Sequence, residues 1–311
     1  MPDRYKLFGL CVEAELSLPE LVPADDNQPA DVAIRLGALP DGLTADSGAS
    51  MAGAAMVLNI PDVARYLISD GRDILVEALA GESERNIRLF LLGSAFGALL
   101  HQRGLLPLHA NAIEVDGRAI GFLGHSGAGK STIAAWFHDR GHPILADDVC
   151  VVTFGDDGRP LAHPGIPRFR LWRDALERRG GDADQYQRSF DGMDKYDVPT
   201  SLGPTRDPIA LDRLYLLGKS EPDALLPAIR RLSGVAAVDA LIANTYRGFY
   251  LRLMGGAARH ATACIALARA IPIYTADRIW GHDCLDAEAM KLDAHARGVD
   301  ETVITRAPAA G

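Results

Sequence analysis

Cysteine is scarce in this sequence, and a long uninterrupted apolar segment is missing. The most apolar window, residues 87–100, contains Arg88 and is too short to cross a bilayer. The first residues of the chain also lack the apolar region of a signal peptide. The four cysteines have neither the spacing of a metal site nor that of a redox pair, which is typical of a reducing compartment. We therefore expect a cytoplasmic protein that does not interact with a membrane.

Positively charged residues are fewer than negatively charged residues. The chain has 32 Lys and Arg against 41 Asp and Glu, so its formal net charge is −9. This balance argues against nucleic acid or an anionic membrane as a partner. Hydrophobic residues make up 48% of the 311 residues and charged residues 23%, which indicates a globular protein with an ample core. Neither a repeat nor a low-complexity block is present.

A glycine-rich loop is the feature that carries chemistry. Gly124, Gly129, Lys130 and Ser131 match the pattern G-x-x-x-x-G-K-[ST], with an apolar strand before it and a helical segment after it. Glycines let the backbone turn tightly and point N–H groups at a phosphate, and the positive end of the following helix adds to the attraction. We expect the nucleotide to contact nine consecutive residues: Gly124, His125, Ser126, Gly127, Ala128, Gly129, Lys130, Ser131 and Thr132.

The segment before this loop predicts an antiparallel hairpin. Residues 112–115 and 118–123 resemble strands, and Asp116-Gly117 between them is a strong two-residue turn signal. Pairing residue 115 with residue 118 places His109 opposite Gly124, at the mouth of the loop. The register alone leaves two roles open for His109, one structural and one functional.

A pair of carboxylates follows the loop. Residues 144–146 form a short apolar strand that runs directly into Asp147 and Asp148. If this strand lies in the same sheet as the strand before the loop, both side chains lie near the phosphates. One carboxylate can then bind Mg²⁺ and the other can accept a proton from an attacking hydroxyl.

Together these motifs resemble the catalytic core of the HPr kinase/phosphorylase family. The resemblance is strong over residues 105–155 and weak elsewhere. It implies an α/β fold: a P-loop kinase core of HPr-kinase/PEP-carboxykinase-like type, which is a mixed sheet with an antiparallel hairpin before the P-loop, plus a small strand-rich N-terminal domain. It also implies ATP and Mg²⁺ as cofactors and a serine hydroxyl on a protein as the acceptor.

The resemblance further implies roles for individual residues. Asp148, or less readily Asp147, is the catalytic base, and Asp147 and Ser131 bind the metal. Lys130 contacts the phosphates, and His109 orients or tunes the aspartates. Members of the family are often oligomeric, so a homo-oligomer is possible here.

The chain departs from the bifunctional family members after the double Asp. A Glu-Ile-Arg-Gly-like signature that is linked to dephosphorylation is missing, and residues 164–177 stand in its place. The run 171–176 and the opening segment resemble the shorter HPr-kinase-like serine kinases of lasso-peptide biosynthesis, which phosphorylate the C-terminal Ser of a precursor peptide. The alternatives are a kinase for another protein or small-molecule hydroxyl, HPr included, and a non-catalytic nucleotide-binding regulator.

The remaining segments predict the domain organisation. Residues 1–82 contain several short strands separated by turn residues, with a loop expected at 37–53, and form a small domain that could recognise a peptide. Residues 83–104 predict a buried helix with Ser83 as its N-cap, and this helix opens the kinase domain of residues 83–311. Residues 164–205 have the least regular pattern. Within them, Lys195 is the basic residue that we expect to make a second phosphate contact.

Overall fold

The computed structural model describes residues 2–25, 27–43, 47–190, 194–200, 207–220, 228–279 and 284–298. The first part of the chain forms an eight-stranded mixed sheet with the order β3-β1-β2-β4-β8-β7-β6-β5. Its strands are β1 (Asp3–Leu7), β2 (Leu10–Ala14), β3 (Val22–Pro23), β4 (Val32–Leu36), β5 (Gly48–Ala52), β6 (Ala55–Ile60), β7 (Ala64–Ser69) and β8 (Asp73–Ala78). Alternating burial along β7 fits a sheet with one face on the core.

The predicted loop at residues 37–53 is wrong in part. Gly48–Ala52 forms an edge strand that pairs with β6, and a tight turn with Gly53 at a φ of +64° joins the two strands. Apart from Met51 the residues of this strand are small, and none of the five is fully buried, so the strand has no apolar alternation that would predict it.

The buried helix predicted at residues 83–104 is confirmed, with one difference. It consists of α1 (Glu84–Phe90), a π-helical segment (Leu91–Ala95) and α2 (Phe96–Gln102). The Oγ of Ser83 caps it by accepting a hydrogen bond from the Asn86 N–H. One continuous core cluster joins the eight-stranded sheet to this helix across the expected boundary at residue 82, so the division into two domains stays a prediction.

A nine-stranded mixed sheet forms the centre of the remaining chain. Its strands are β9 (Leu106–Leu108), β10 (Ala110–Val115), β11 (Arg118–Leu123), β12 (Ile144–Ala146), β13 (Cys150–Phe154), β14 (Pro160–His163), β18 (Ile209–Lys219), β19 (Ala228–Leu232) and β20 (Ile273–Arg278). The order β12-β10-β11-β18 continues through β14 on one part of the long β18, while β20 pairs with another part of β18.

In the part of this sheet ordered β12-β10-β11-β18-β20, four strands point in the same direction. β12 and β11 are both antiparallel to β10, so they run parallel to each other. β18 is parallel to β11, and β20 is parallel to β18. The carboxyl ends of these four strands therefore meet at one edge of the sheet, which is where α/β sheets commonly bind ligands.

Residues 164–205 are more regular than the sequence predicts. The described part of this segment contains a three-stranded sheet of β15 (Arg168–Trp172), β16 (Gln187–Arg188) and β17 (Lys195–Pro199), in the order β15-β17-β16, and the short helix α4 (Arg173–Arg178). Its strands are short and rich in charge, which conceals them from an argument based on hydrophobic periodicity.

In the part of the chain that the structure describes, four further helices cover the central sheet or border it: α3 (Lys130–His138), α5 (Gly234–Ala243), α7 (Ala257–Ala270) and α8 (Leu285–Ala296). Another helix, α6 (Tyr250–Met254), contacts α2, α7 and strand β5 of the eight-stranded sheet. Among the described residues, no helix has both the length and the apolar content that crossing a bilayer requires. The four cysteines all have free thiols.

Candidate active site

The glycine-rich loop joins β11 to α3 at the common edge of the four parallel strands. Gly124, Gly127 and Gly129 all have positive φ, at +145°, +85° and +84°. A Cβ on Gly124 would lie 2.9 Å from the Cβ of Ala128, so no other residue fits there without a shift. The predicted hairpin register is confirmed: Val115 pairs with Arg118 and Ala110 with Leu123, which brings His109 opposite Gly124.

The buried side chain of Lys130 is folded against the loop. Its Nζ donates to the carbonyls of Gly124 at 2.6 Å and His125 at 3.2 Å, and to the Nε2 of His109 at 3.1 Å. Burial lowers the pKa of Lys130, although Asp148 opposes this effect. The ammonium group is therefore pre-positioned inside the loop.

His109 connects Lys130 to the acidic pair. Its Nδ1 lies 3.0 Å from the carbonyl oxygen of Asp148. A carbonyl can only accept, so Nδ1 bears the proton and Nε2 is free to accept from the Lys130 ammonium. Burial, together with the charge of Lys130, holds the pKa of His109 below its ordinary value, which agrees with a neutral ring at pH 7.

The carboxylate of Asp147 accepts three hydrogen bonds. Its Oδ1 accepts hydrogen bonds from the Ser131 hydroxyl at 3.2 Å and from the Asn111 amide. Its Oδ2 accepts from the backbone N–H of Arg170 at 2.8 Å. Burial and the neighbouring Asp148 raise the pKa of Asp147 to about 6.

Asp148 has an unusual backbone. Its φ is +65°, and the turn is closed by the Val149 N–H, which donates to the carbonyl of Asp147 at 2.9 Å. Such three-residue turns are rare and strained, and strain of this kind clusters at functional sites. The turn gives the two adjacent carboxylates different partners.

The Asp148 carboxylate lies among cations. Its Oδ2 is 3.4 Å from the Nη1 of Arg170 and 3.8 Å from the Nζ of Lys195. Burial by itself would raise the pKa of Asp148, but Lys195 and Arg170 outweigh it and hold that pKa below its ordinary value. Asp148 is consequently ionised at neutral pH. Lys195, the expected second phosphate contact, thus lies beside Asp148.

A pocket of about 280 Å³ opens above the loop. It brings together His109, Asp148 and Lys195 with the loop residues from Ser126 to Thr132. His125 lies at the exposed surface of the loop, where its Nδ1 is 2.7 Å from the carbonyl of Ser126. The residues predicted from the sequence are therefore adjacent, and their roles in binding stay predictions.

Asn244 supports the loop from a distant part of the chain, and the sequence analysis missed it. Its Oδ1 accepts from the Gly124 N–H at 2.9 Å, and its carbonyl accepts from the His109 N–H at 2.7 Å. It follows α5, about 120 positions away from the loop, and no local pattern marks it. Asn111 was also missed, although a polar residue in the mostly apolar run at the start of this strand was an available signal.

The chemistry of Ser131 and Asp147 suits Mg²⁺. The described residues contain no group of three or more His, Cys, Asp or Glu side chains that could hold a metal ion by themselves. However, Mg²⁺ prefers oxygen ligands and is usually bound by one or two carboxylates together with substrate phosphates. A hydroxyl and a carboxylate oxygen 3.2 Å apart beside the glycine-rich loop fit that preference.

Comparison with known proteins finds neither a matching family model nor a matching curated protein. Among solved structures, the chain is similar to an Hpr(Ser) kinase/phosphatase from Coxiella burnetii, with a TM-score of 0.34 and 16% sequence identity. The match covers 62% of this chain and 97% of that chain. A likeness this distant says nothing about activity, which depends on the side chains described above.

Proposed function

We propose that this chain is an ATP-dependent kinase that transfers the γ-phosphate to a serine hydroxyl of a peptide. One observation carries the proposal. An ionised, buried carboxylate (Asp148), a lysine inside the glycine-rich loop (Lys130) and a hydroxyl–carboxylate pair (Ser131 and Asp147) meet at the same edge of the sheet. Phosphoryl transfer requires this set: a phosphate cradle, a place for a metal and a group that receives a proton.

The triphosphate of ATP binds along the loop. Backbone N–H groups between Gly124 and Ser131 and the N-terminus of α3 attract its negative charge, and Lys130 adds a side-chain cation. Ser131 and Asp147 would hold Mg²⁺, which supplies neutralisation of the charge on the phosphate oxygens.

Asp148 acts on the acceptor. Its carboxylate takes the proton of the serine hydroxyl while the hydroxyl oxygen forms a bond to the γ-phosphorus. The bond between the γ-phosphorus and the bridging oxygen breaks, and ADP leaves with the electron pair of that bond. His109 donates to the Asp148 carbonyl and thereby holds the turn that orients this carboxylate. Most of the rate enhancement comes from positioning and charge neutralisation.

A second cleft supports a peptide acceptor. It has a volume of about 510 Å³ and lies between the N-terminal part of the chain, α1 and the three-stranded sheet, with Glu20, Arg88 and Asp197 in its walls. The Oδ1 of Asp197 is 3.6 Å from the Nε of Arg170, and Arg170 in turn pairs with Asp148. A cleft of this size, two ion pairs away from the base, gives room for several residues that precede an acceptor serine.

The direct test is the intact mass of a lasso precursor peptide that ends in Ser, after incubation with the full chain, ATP and Mg²⁺. We expect the peptide to gain one phosphate, and to gain none with the Asp148→Asn variant or when its serine is replaced by alanine. If ATP binds but the peptide gains no phosphate, the peptide acceptor is wrong. A panel with HPr and small hydroxyl compounds would then separate another kinase from a nucleotide-binding regulator.

A further inference from the structure

Arg278 lies at the same sheet edge as the glycine-rich loop, on the side opposite to Asp148. β11, which leads into the loop, has β10 and then β12 on one side, and β12 ends at the aspartates. On its other side lie β18 and then β20, which ends at Arg278. All the strands that end there are parallel, so Asp148 and Arg278 flank the loop from its two sides.

The guanidinium of Arg278 is buried and only partly satisfied. Its Nε donates to the Oε2 of Glu288 in α8 at 2.8 Å, and the two residues are 6% and 1% exposed. Within the described ranges, its Nη1 is buried and has no hydrogen-bond partner. A buried cationic donor without an acceptor is costly, and such a group in a native protein calls for an explanation.

The same guanidinium packs against the loop. A Cβ built on Gly129 would lie 3.1 Å from the Nη1 of Arg278 and 3.3 Å from its Nη2. Gly129 immediately precedes α3, and Arg278 lines the pocket that also contains Lys130 and Asp148. The unpartnered nitrogen is therefore at the position where the loop would present backbone N–H groups to a phosphate.

We propose that Arg278 is a second cationic contact for the nucleotide, which binds the phosphates that are not transferred, and that Glu288 holds its guanidinium in place. The proposal rests on the proposed function, because it needs a nucleoside di- or triphosphate on the loop. Asp148 and Lys195 mark the end of the pocket where the γ-phosphate meets the acceptor. Arg278 lies on the other flank, beside the phosphates that remain with the nucleoside.

The test is calorimetric titration of the full chain and its variants with ADP, ATP and pyrophosphate. Because Arg278→Gln loses a charge-assisted hydrogen bond to the phosphates, we expect the Kd of all three ligands to rise by a similar factor, about 10-fold or more. Pyrophosphate has the phosphates without the nucleoside. A loss of affinity for pyrophosphate in Arg278→Gln therefore shows that Arg278 contacts the phosphates and not the nucleoside. The KM for ATP should rise while kcat changes less, because the contact exists before transfer.

Two further variants make the result specific. Arg230→Gln is the matched control, since Arg230 pairs with Asp277 at the adjacent edge but its side chain is 71% exposed, and it should leave every Kd unchanged. Arg278→Lys retains the charge without the planar fork and should show an intermediate loss. Thermal unfolding without ligand shows whether Arg278→Gln is folded. If it is not, Arg278→Lys takes its place in the titrations.

The outcomes separate this proposal from the one on which it rests. If the wild-type chain binds neither ADP nor ATP, both proposals are wrong. If it binds them and both folded Arg278 variants bind them within twofold of the wild type, only the role of Arg278 is wrong, and the pair with Glu288 is a structural link between β20 and α8. A loss that is confined to ATP would contradict a contact to the non-transferred phosphates.

Discussion

The Lys130 ammonium donates a hydrogen bond to the Nε2 of His109 over 3.1 Å. Because His109 donates from its other nitrogen to the carbonyl of Asp148, one imidazole connects the cation of the loop to the turn that orients the second aspartate. The ring is neutral and its tautomer is determined by these two partners. In the proposed function, phosphate binding by Lys130 and positioning of Asp148 as the base therefore depend on the same side chain, and several of the following predictions rest on this relationship.

Replacement of Asp148 by Asn should lower kcat by about 100-fold or more, since the amide cannot accept the proton of the attacking hydroxyl. The Kd of ADP should change little, because the carboxylate faces the acceptor. Single-turnover phosphorylation and calorimetry measure the two effects. Asp156→Asn, in the exposed turn between β13 and β14, is the control and should behave like the wild type. Normal turnover by Asp148→Asn would exclude Asp148 as the base.

Replacement of His109 by Ala should lower kcat by about 10-fold and also lower the free energy of unfolding. The variant loses the donor to the Asp148 carbonyl, and an unsatisfied buried polar group costs about 1–3 kcal/mol. The amide of His109→Asn can replace Nδ1 as the donor, so this variant should retain more activity than His109→Ala. Equal kinetics for the Asn and Ala variants would show that the contact to Asp148 does not matter.

The activity should fall as the pH is lowered through about 6. Burial raises the pKa of Asp147 to about 6, so its carboxylate becomes protonated below this pH and can no longer bind a metal ion well. The logarithm of kcat/KM against pH should have a slope of about 1 below that point. A profile that stays flat down to pH 5 would contradict the assignment.

The stability of the nucleotide-free chain should show the opposite pH dependence at this residue. The pKa of Asp147 is higher in the folded chain than in the unfolded chain, so the folded chain binds more protons between about pH 4 and pH 6. The contribution of this group to stability therefore grows as the pH falls from 7 to 5. Urea unfolding of the wild type and of Asp147→Asn at both pH values isolates it, because only the wild type can titrate there. A difference between the two proteins that does not vary with pH would refute this point.

Replacement of Asn244 by Ala should destabilise the loop from a distance. The Gly124 N–H would lose its acceptor inside the protein, at a cost of about 1–3 kcal/mol in the free energy of unfolding. The affinity for ADP should fall as well, because the loop begins at Gly124. Thr262→Ala removes an exposed side-chain hydrogen bond in α7 and provides the control. If Asn244→Ala has unchanged stability and unchanged affinity for ADP, Asn244 does not support the loop.

Much of the candidate site could be predicted because its parts are local. Asp116 and Gly117 have φ values of +50° and +76°, as a two-residue hairpin turn requires, and this turn determines the register that brings His109 to Gly124. Gly124, Gly127 and Gly129 have conformations that favour glycine, so their positions in the sequence already indicated the loop. The position of Asp147 and Asp148 at the sheet edge could be predicted because a buried three-residue strand directly precedes them.

Other elements escaped prediction because their sequences are ambiguous. The edge strand Gly48–Ala52 is built mostly from small residues, and its pairing with β6 outweighs its weak propensity. The sheet within residues 164–205 consists of short strands whose charged residues pair with one another, as Arg168 does with Asp197. The helix Leu285–Ala296, which supplies Glu288, was not predicted either.

By itself, the sequence determined the loop, the hairpin and the acidic pair, because turn geometry and strand register depend on residues within a few positions of each other. Only the tertiary structure decided that Asn244 holds Gly124, that Lys195 pairs with Asp148 and that Arg278 packs on Gly129. These contacts join segments that are between 47 and 149 positions apart. The Arg278 contact exists because the mixed sheet brings the carboxyl ends of β11 and β20 to one edge, whereas Asn244 follows α5 and Lys195 belongs to the three-stranded sheet. No local pattern encodes this convergence of distant elements.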